Sequence, residues 1–338
     1  MHSTFPFACC FLIFLFSGSI LSITASNWLT VWLGLELNLI SFLPLIAIKP
    51  QVQETESAIK YFLIQAIGSG LILLMGFTAS TSSLRWNRLF VFLGLSLKLG
   101  AAPLHFWLPG VMRGLSWVNC LLLATWQKVA PLFVMVSLNL FFTTELFIMA
   151  IMSALIGGLI GMNQTRLRAL LAYSSIGHVG WLLALSSSST IITLIYFSVY
   201  IRILIPLFLN FHLQSLSIPT QITSFSSLTK PHSLTIGILL LSLGGIPPLT
   251  GFFAKWAAIQ HLINVNIFLM GILILGALMN LYYYLIMIFS FTTIGARNKL
   301  GPQYNPNFST GLILLSTPAL VGTGVLSVLY ALTLLNKS

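Results

Sequence analysis

Leu93–Gly110, "LGLSLKLGAAPLHFWLPG", is apolar almost throughout, yet it keeps one ammonium, Lys98, near its middle. Two residues later Gly100 begins "GAAP", a run that cannot continue a regular helix because proline lacks a donor and glycine is a poor helix former. The surrounding chain decides how these features coexist. Of its 338 residues 57% are hydrophobic and only 6% are charged, against roughly 25% charged in soluble domains. No single water-soluble core absorbs that much apolar surface, so the solvent is lipid. The fold class expected is all-α, a polytopic membrane protein forming a single transmembrane domain over 1–338.

A spanning helix needs about 20 apolar residues, and eleven stretches qualify, at approximately 5–24, 28–48, 58–79, 87–108, 116–140, 145–162, 169–186, 190–211, 233–262, 265–293 and 309–335. The N-terminal segment lacks the basic start of a secretory signal and the Arg-rich amphipathic pattern of a transit peptide, so it reads as a retained first span. Eleven spans put the termini on opposite sides. Lys49, Lys60, Arg113, Arg166, Arg168, Lys230, Arg297 and Lys299 then share the N-terminal side, and Arg85, Arg88 and Lys337 the other. The asymmetry puts the N-terminus on the inner side.

The opening stretch has a counterpart. Gly100-Ala-Ala-Pro103-Leu104-His-Phe-Trp107 and Gly245-Ile-Pro-Pro248-Leu249-Thr-Gly-Phe252 share the pattern G-x-x-P-L-x-x-aromatic, with Ser96-Leu97 and Ser242-Leu243 ahead of them. The two lie on the fourth and ninth spans, which cross the membrane in opposite directions. An inverted repeat with two broken helices is the expected reading: approximately 1–140 as the first five-helix repeat, 145–293 as the second, and 309–335 as a final helix.

Most charges sit at span ends. Glu36, Lys98, Lys128 and Arg202 fall near span centres, and Lys255 follows the second break. Each costs about 2.5–3.5 kcal/mol at a helix centre on insertion scales, and such groups mark ion or proton paths unless they snorkel or form a structural pair. One glutamate cannot pair three lysines. Burial disfavours a charged lysine and a nearby carboxylate favours it, so a lysine balanced between them loads and releases a proton as its neighbour changes charge. Glu36, Lys98, Lys128 and Lys255 are therefore the candidate proton-translocation residues. His178, with Tyr173 beside it in "LLAYSSIGHVGW", and His105 are candidate relay groups; structural roles for both histidines stay open. Arg202 stays protonated and serves poorly as a relay, so it receives no site role.

Several function classes fall away. Cys9, Cys10 and Cys120 lack any metal-ligand spacing and read as packing residues. No haem or iron–sulfur ligand set is visible, and Gly68-Ser69-Gly70 and Gly322-Thr323-Gly324 do not complete a nucleotide fingerprint. Redox chemistry therefore belongs to other chains, and this one is expected to carry no cofactor or metal. The formal net charge of +11 reflects the basic residues between spans rather than nucleic-acid binding.

At these residues the chain resembles a known family. "WLGLELNLISFLPL", "ESAIKYFLIQAIGS", "LKLGAAPLHFWLPG", "TWQKVAPL", "GMNQTRLRALLAYSSIGHVGW" and "LSLGGIPPLTGFFAKW" together are similar to the antiporter-like membrane-arm subunits of mitochondrial NADH:ubiquinone oxidoreductase, respiratory complex I, and most of all to its chain 2 family. The resemblance covers residue 27 to about 260, and the last two spans match by position and hydropathy. It implies inverted five-helix repeats with two discontinuous helices, a mitochondrial inner-membrane location with a matrix N-terminus, and a hydrated charged axis through Glu36, Lys98, Lys128 and Lys255. It also implies FMN, iron–sulfur clusters and ubiquinone on partner chains, and an adjoining antiporter-like subunit as neighbour. Gly110 stands where the family often has an acidic residue. Two other readings remain at this point: a subunit of a multisubunit cation/proton antiporter, and a non-conducting structural spacer.

Overall fold

Apolar runs of 18 or more residues have only one way to cross lipid singly, because every backbone N–H and C=O must find a partner within the segment. The computed structural model describes residues 4–48, 51–78, 84–138, 143–213, 230–247 and 249–297, and all its regular elements are helical. They are α1 (Thr4–Thr24), α2 (Trp28–Ile46), α3 (Val52–Thr78), α4 (Leu84–Leu99), α5 (Trp107–Gly114), α6 (Trp117–Ala124), α7 (Trp126–Ser137), α8 (Thr143–Met162), α9 (Leu167–Ser186), α10 (Thr190–Leu213), α11 (Lys230–Gly244), α12 (Thr250–Ile263) and α13 (Ile267–Arg297). Eight stretches among the described residues are long and apolar enough to span a bilayer. The expected last helix, 309–335, lies outside the described residues, as do Lys299 and Lys337.

The chain forms two compact units, residues 1–149 and 150–338. In the first, α1 and α2 meet at backbone distance. A Cβ on Gly34 would come within 2.6 Å of the Ser22 amide nitrogen and 2.8 Å of the Gly18 carbonyl oxygen. Small residues at a contact let spanning helices approach closely enough for dispersion to hold them, since lipid supplies no hydrophobic drive between helices. In the second unit α9 is the central helix, buried along almost its whole length. The outward faces are greasy: Ile13, Leu29, Ile67 and Phe289 are all exposed, as lipid-facing residues should be.

The fourth and ninth expected spans are interrupted at the repeated motif. Gly100 has φ +70 and Gly245 φ +83, a left-handed conformation that glycine adopts without a Cβ penalty. The hydrogen bonds repeat as well. Gly100 N–H reaches Leu97 O at 3.1 Å and Ala101 N–H reaches Ser96 O at 3.0 Å; Gly245 N–H reaches Ser242 O at 3.1 Å and Ile246 N–H reaches Leu241 O at 3.3 Å. Each is a Schellman C-cap, so the G-x-x-P-L motif encodes a helix stop. The chain then restarts as α5 in the first unit and α12 in the second.

The expected fifth span, 116–140, differs from a continuous helix. It breaks at Thr125 into α6 and α7 (Thr125 φ −113, ψ −75). Thr125 Oγ1 donates to the Leu121 carbonyl at 2.6 Å, a side-chain bond that competes with the helical ladder and bends it.

Candidate functional site

Polar groups converge beside the break in the first unit. Asn38 from α2, Tyr61 and Gln65 from α3, Lys98 from α4 and Gln127 from α7 line, together with Leu35, Leu39 and Pro131, a cavity of about 10 Å³, room for about one water. A chain of hydrogen bonds runs along it: Tyr61 Oη donates to Gln127 Oε1 at 3.0 Å, and Gln127 Nε2 donates to Asn38 Oδ1 at 3.0 Å. Gln65 Nε2 makes a long 3.5 Å bond to the Lys98 carbonyl, one of those the helix stop leaves over. Trp107 Nε1, from α5, donates to Leu97 O at 3.1 Å.

Lys98 and Lys128 are both buried, whereas Glu36, on α2, is partly exposed. Glu36 forms no direct ion pair with Lys98. Its carboxylate nevertheless acts electrostatically on both Lys98 and Tyr61. Lys128 sits one turn past the Thr125 break, its amide bonded to Thr125 O at 3.2 Å.

In the second unit the lysine caps the break itself. Lys255 is buried in α12, and its Nζ donates to Leu243 O at 3.0 Å and to Gly244 O at 2.7 Å. These carbonyls end α11, where the helix dipole concentrates negative charge. An ammonium has three donors, so one remains. Gly245 makes the approach possible: a Cβ there would stand 2.8 Å from Lys255 Cδ. Gly251 does the same for the first turn of α12, where a Cβ would fall 1.7 Å from the Ser242 carbonyl oxygen.

Lys255 lines a second cavity of about 10 Å³ with His178, Tyr196, Tyr200, Ser242 and Leu243. His178 Nδ1 lies 2.9 Å from the Tyr196 hydroxyl, and its ring centroid is 4.9 Å from that of Tyr200. One water in this space would link the ammonium to imidazole and phenol groups.

The structure thus brings Lys98 to one cavity, and His178 and Lys255 to another. Glu36, Lys128, His105 and Tyr173 line neither cavity. His105 is buried in the loop after α4, with Nδ1 donating to Pro103 O at 3.2 Å. Tyr173 is half-buried on α9, near Gly161 of α8. Sequence reasoning missed Asn38, Tyr61, Gln65 and Gln127. Asn38 and Gln127 are amides within two residues of Glu36 and Lys128, a signal that was readable. Tyr196 and Tyr200 look like core aromatics until His178 is placed against them. Among the described residues no three His, Cys, Asp or Glu side chains cluster as a metal site would.

An all-α membrane chain with buried lysines beside two glycine-stopped helices has the architecture of an antiporter-like membrane subunit. The family described as "NADH:quinone oxidoreductase/Mrp antiporter, TM" matches residues 25–80 and 71–294. NADH-ubiquinone oxidoreductase chain 2 of Lumbricus terrestris is 41% identical over 288 residues, 82% of this chain and 84% of that one. The rabbit (Oryctolagus cuniculus) chain 2 is 39% identical over 338 residues, 93% and 96% of the two chains. A chain of respiratory complex I from Thermus thermophilus with bound aureothin shares the fold, with TM-score 0.79 and 23% identity, over 94% of this chain and 76% of that one. The chain belongs to the NADH-ubiquinone oxidoreductase chain 2 family, the antiporter-like membrane subunits of respiratory complex I.

Proposed function

We propose that this subunit carries protons across the membrane through one lysine station in each unit: Glu36, Lys98 and Lys128 in the first, Lys255 with His178 in the second. The Lys255 ammonium carries the reading. Two of its donors rest on the carbonyls of a stopped helix, and it also lines a water-sized cavity beside an imidazole. A third donor facing water gives a proton a way on and off. In the first unit Glu36 sets the charge that Lys98 experiences, and the Tyr61–Gln127–Asn38 chain orders the space between α2, α3 and α7. His105 and Tyr173 serve at most in access paths to these stations.

The finer architecture follows the same reading: eleven spans as inverted repeats at about 1–140 and 145–293 with a final helix at 309–335, two discontinuous helices, and an N-terminus on the matrix side of the mitochondrial inner membrane. FMN, iron–sulfur clusters and ubiquinone belong to partner chains, and an adjoining antiporter-like subunit passes or receives the charge. Lys255→Met keeps the apolar stem and removes the titrating group. The expected result is an assembled complex whose proton pumping, and with it coupled NADH:ubiquinone activity, is impaired. Wild-type pumping stoichiometry in the assembled variant would show that Lys255 is only a structural helix cap.

A further inference from the structure

Arg202 stands near the middle of α10, with twelve residues of the helix before it and eleven after. At about 1.5 Å per residue the helix ends are about 18 Å and about 17 Å away, while the hydrocarbon core is about 30 Å thick. An arginine at that depth is too far from either interface to snorkel without deforming the bilayer. It is also exposed, on a face it shares with Ile191, Leu194 and Ile205. The opposite face of α10 carries Tyr196, Tyr200 and Ile203 into the interior of the second unit. Ile191, Leu194, Ser198 and Ile205 follow the heptad step by which one helix lies along another.

Arginine cannot shed its charge, so the guanidinium needs a counter-charge or strong acceptors at that depth, and a carboxylate supplies both. The chain offers four acidic side chains, Glu36, Glu54, Glu56 and Glu145. Glu56 pairs with Lys60, and among the described residues no ion pair involves Arg202. Residues 214–229 and 298–338 contain no Asp or Glu, so no other segment of this chain supplies one.

We infer that the exposed face of α10 docks on a transmembrane helix of an adjoining membrane subunit, which presents a carboxylate at the depth of Arg202. Charge complementarity selects this occupant. A planar guanidinium and a carboxylate pair through two parallel hydrogen bonds in a medium that offers no competing water. A lipid phosphate would have to be drawn about 15 Å from its interface to do the same.

The test uses the intact complex. A structure of it should place a carboxylate oxygen from another subunit within about 4 Å of the guanidinium. Arg202→Leu makes the span more apolar, so the chain should insert as well as wild type. The amount recovered in the assembled membrane arm on native gels should nevertheless fall at least about fivefold, with Arg202→Lys intermediate. Wild-type assembly of Arg202→Leu overturns the inference. So does a fall in inserted chain rather than in assembly, or a guanidinium that meets only lipid phosphate, water or carbonyls of its own chain. The readout here is assembly, whereas the lysine stations are read by pumping in complexes that have assembled, so the two readings fail separately.

Discussion

Gly245→Ala tests whether the helix stop and the lysine act together. The glycine sits at φ +83, where an L-residue costs about 1–2 kcal/mol. Its new Cβ would lie 2.8 Å from Lys255 Cδ and 3.2 Å from Lys255 Nζ. The lysine must move, and the bonds to Leu243 O and Gly244 O, 3.0 and 2.7 Å, cannot both survive. A hydrogen bond to a charged group contributes about 1.5–3 kcal/mol, so the capped arrangement should lose at least about tenfold in population. Gly100→Ala is the control. It carries the same left-handed strain at φ +70, but its Cβ would meet the flexible end of Leu108, 2.9 Å away, and no lysine. Both variants should reduce the yield of assembled complex to a similar extent. Per assembled complex, only Gly245→Ala should lower the protons moved per electron pair, measured by acidification in reconstituted vesicles during NADH oxidation. Equal pumping by the two variants would refute the claim that the Lys255 cap is functional rather than architectural.

Two further outcomes follow from the geometry. Glu36→Gln keeps the shape and removes the charge that acts on Lys98; without ion-pair contact that attraction stays below about 4 kcal/mol, and a fall of about tenfold in coupled NADH:ubiquinone turnover is expected, so an unchanged rate would disconnect Glu36 from the site. Gly34→Leu drives a side chain into the Ser22 backbone, where even a Cβ would be 2.6 Å away; overpacking of about 1–3 kcal/mol or more should deplete the chain from membranes, and normal abundance would disprove the tight α1–α2 contact.

Legibility in the sequence tracked the physics of each feature. Apolar length is a one-dimensional property, so spans such as Thr143–Met162 and Leu167–Ser186 could be read almost to their ends. The stop at Gly100 and Gly245 was readable because it needs a residue type, glycine, in one place. The break at Thr125 was not, because a threonine bends a helix only when its hydroxyl turns back on the Leu121 carbonyl, a choice of rotamer rather than of composition. Lysines in apolar runs announced themselves by their cost. The partners of Lys255 were hidden, since they are backbone carbonyls of Leu243 and Gly244, residues with no polar side chain to notice.

The same blindness conceals a difference between the two units. The helix stops are alike down to their hydrogen bonds, so Lys98 in the first corresponds to Leu243 in the second, each two residues before the left-handed glycine. Both positions leave a main-chain carbonyl to be satisfied. In the second unit an ammonium takes it, from α12. In the first a neutral amide takes it, Gln65 on α3, through a long 3.5 Å bond. The lysine of the first unit is therefore not the cap but part of the capped helix. Lys98 itself lines the polar cavity, and Glu36 acts on it through space. Under the proposed function one station rests on backbone that cannot change charge, and the other lies in the field of a carboxylate that can. A repeat that had kept Lys at both positions would have made two equal stations. Under the proposed function the two stations would answer to different things, Lys98 to the charge on Glu36 and Lys255 to water admitted beside His178 and Tyr196.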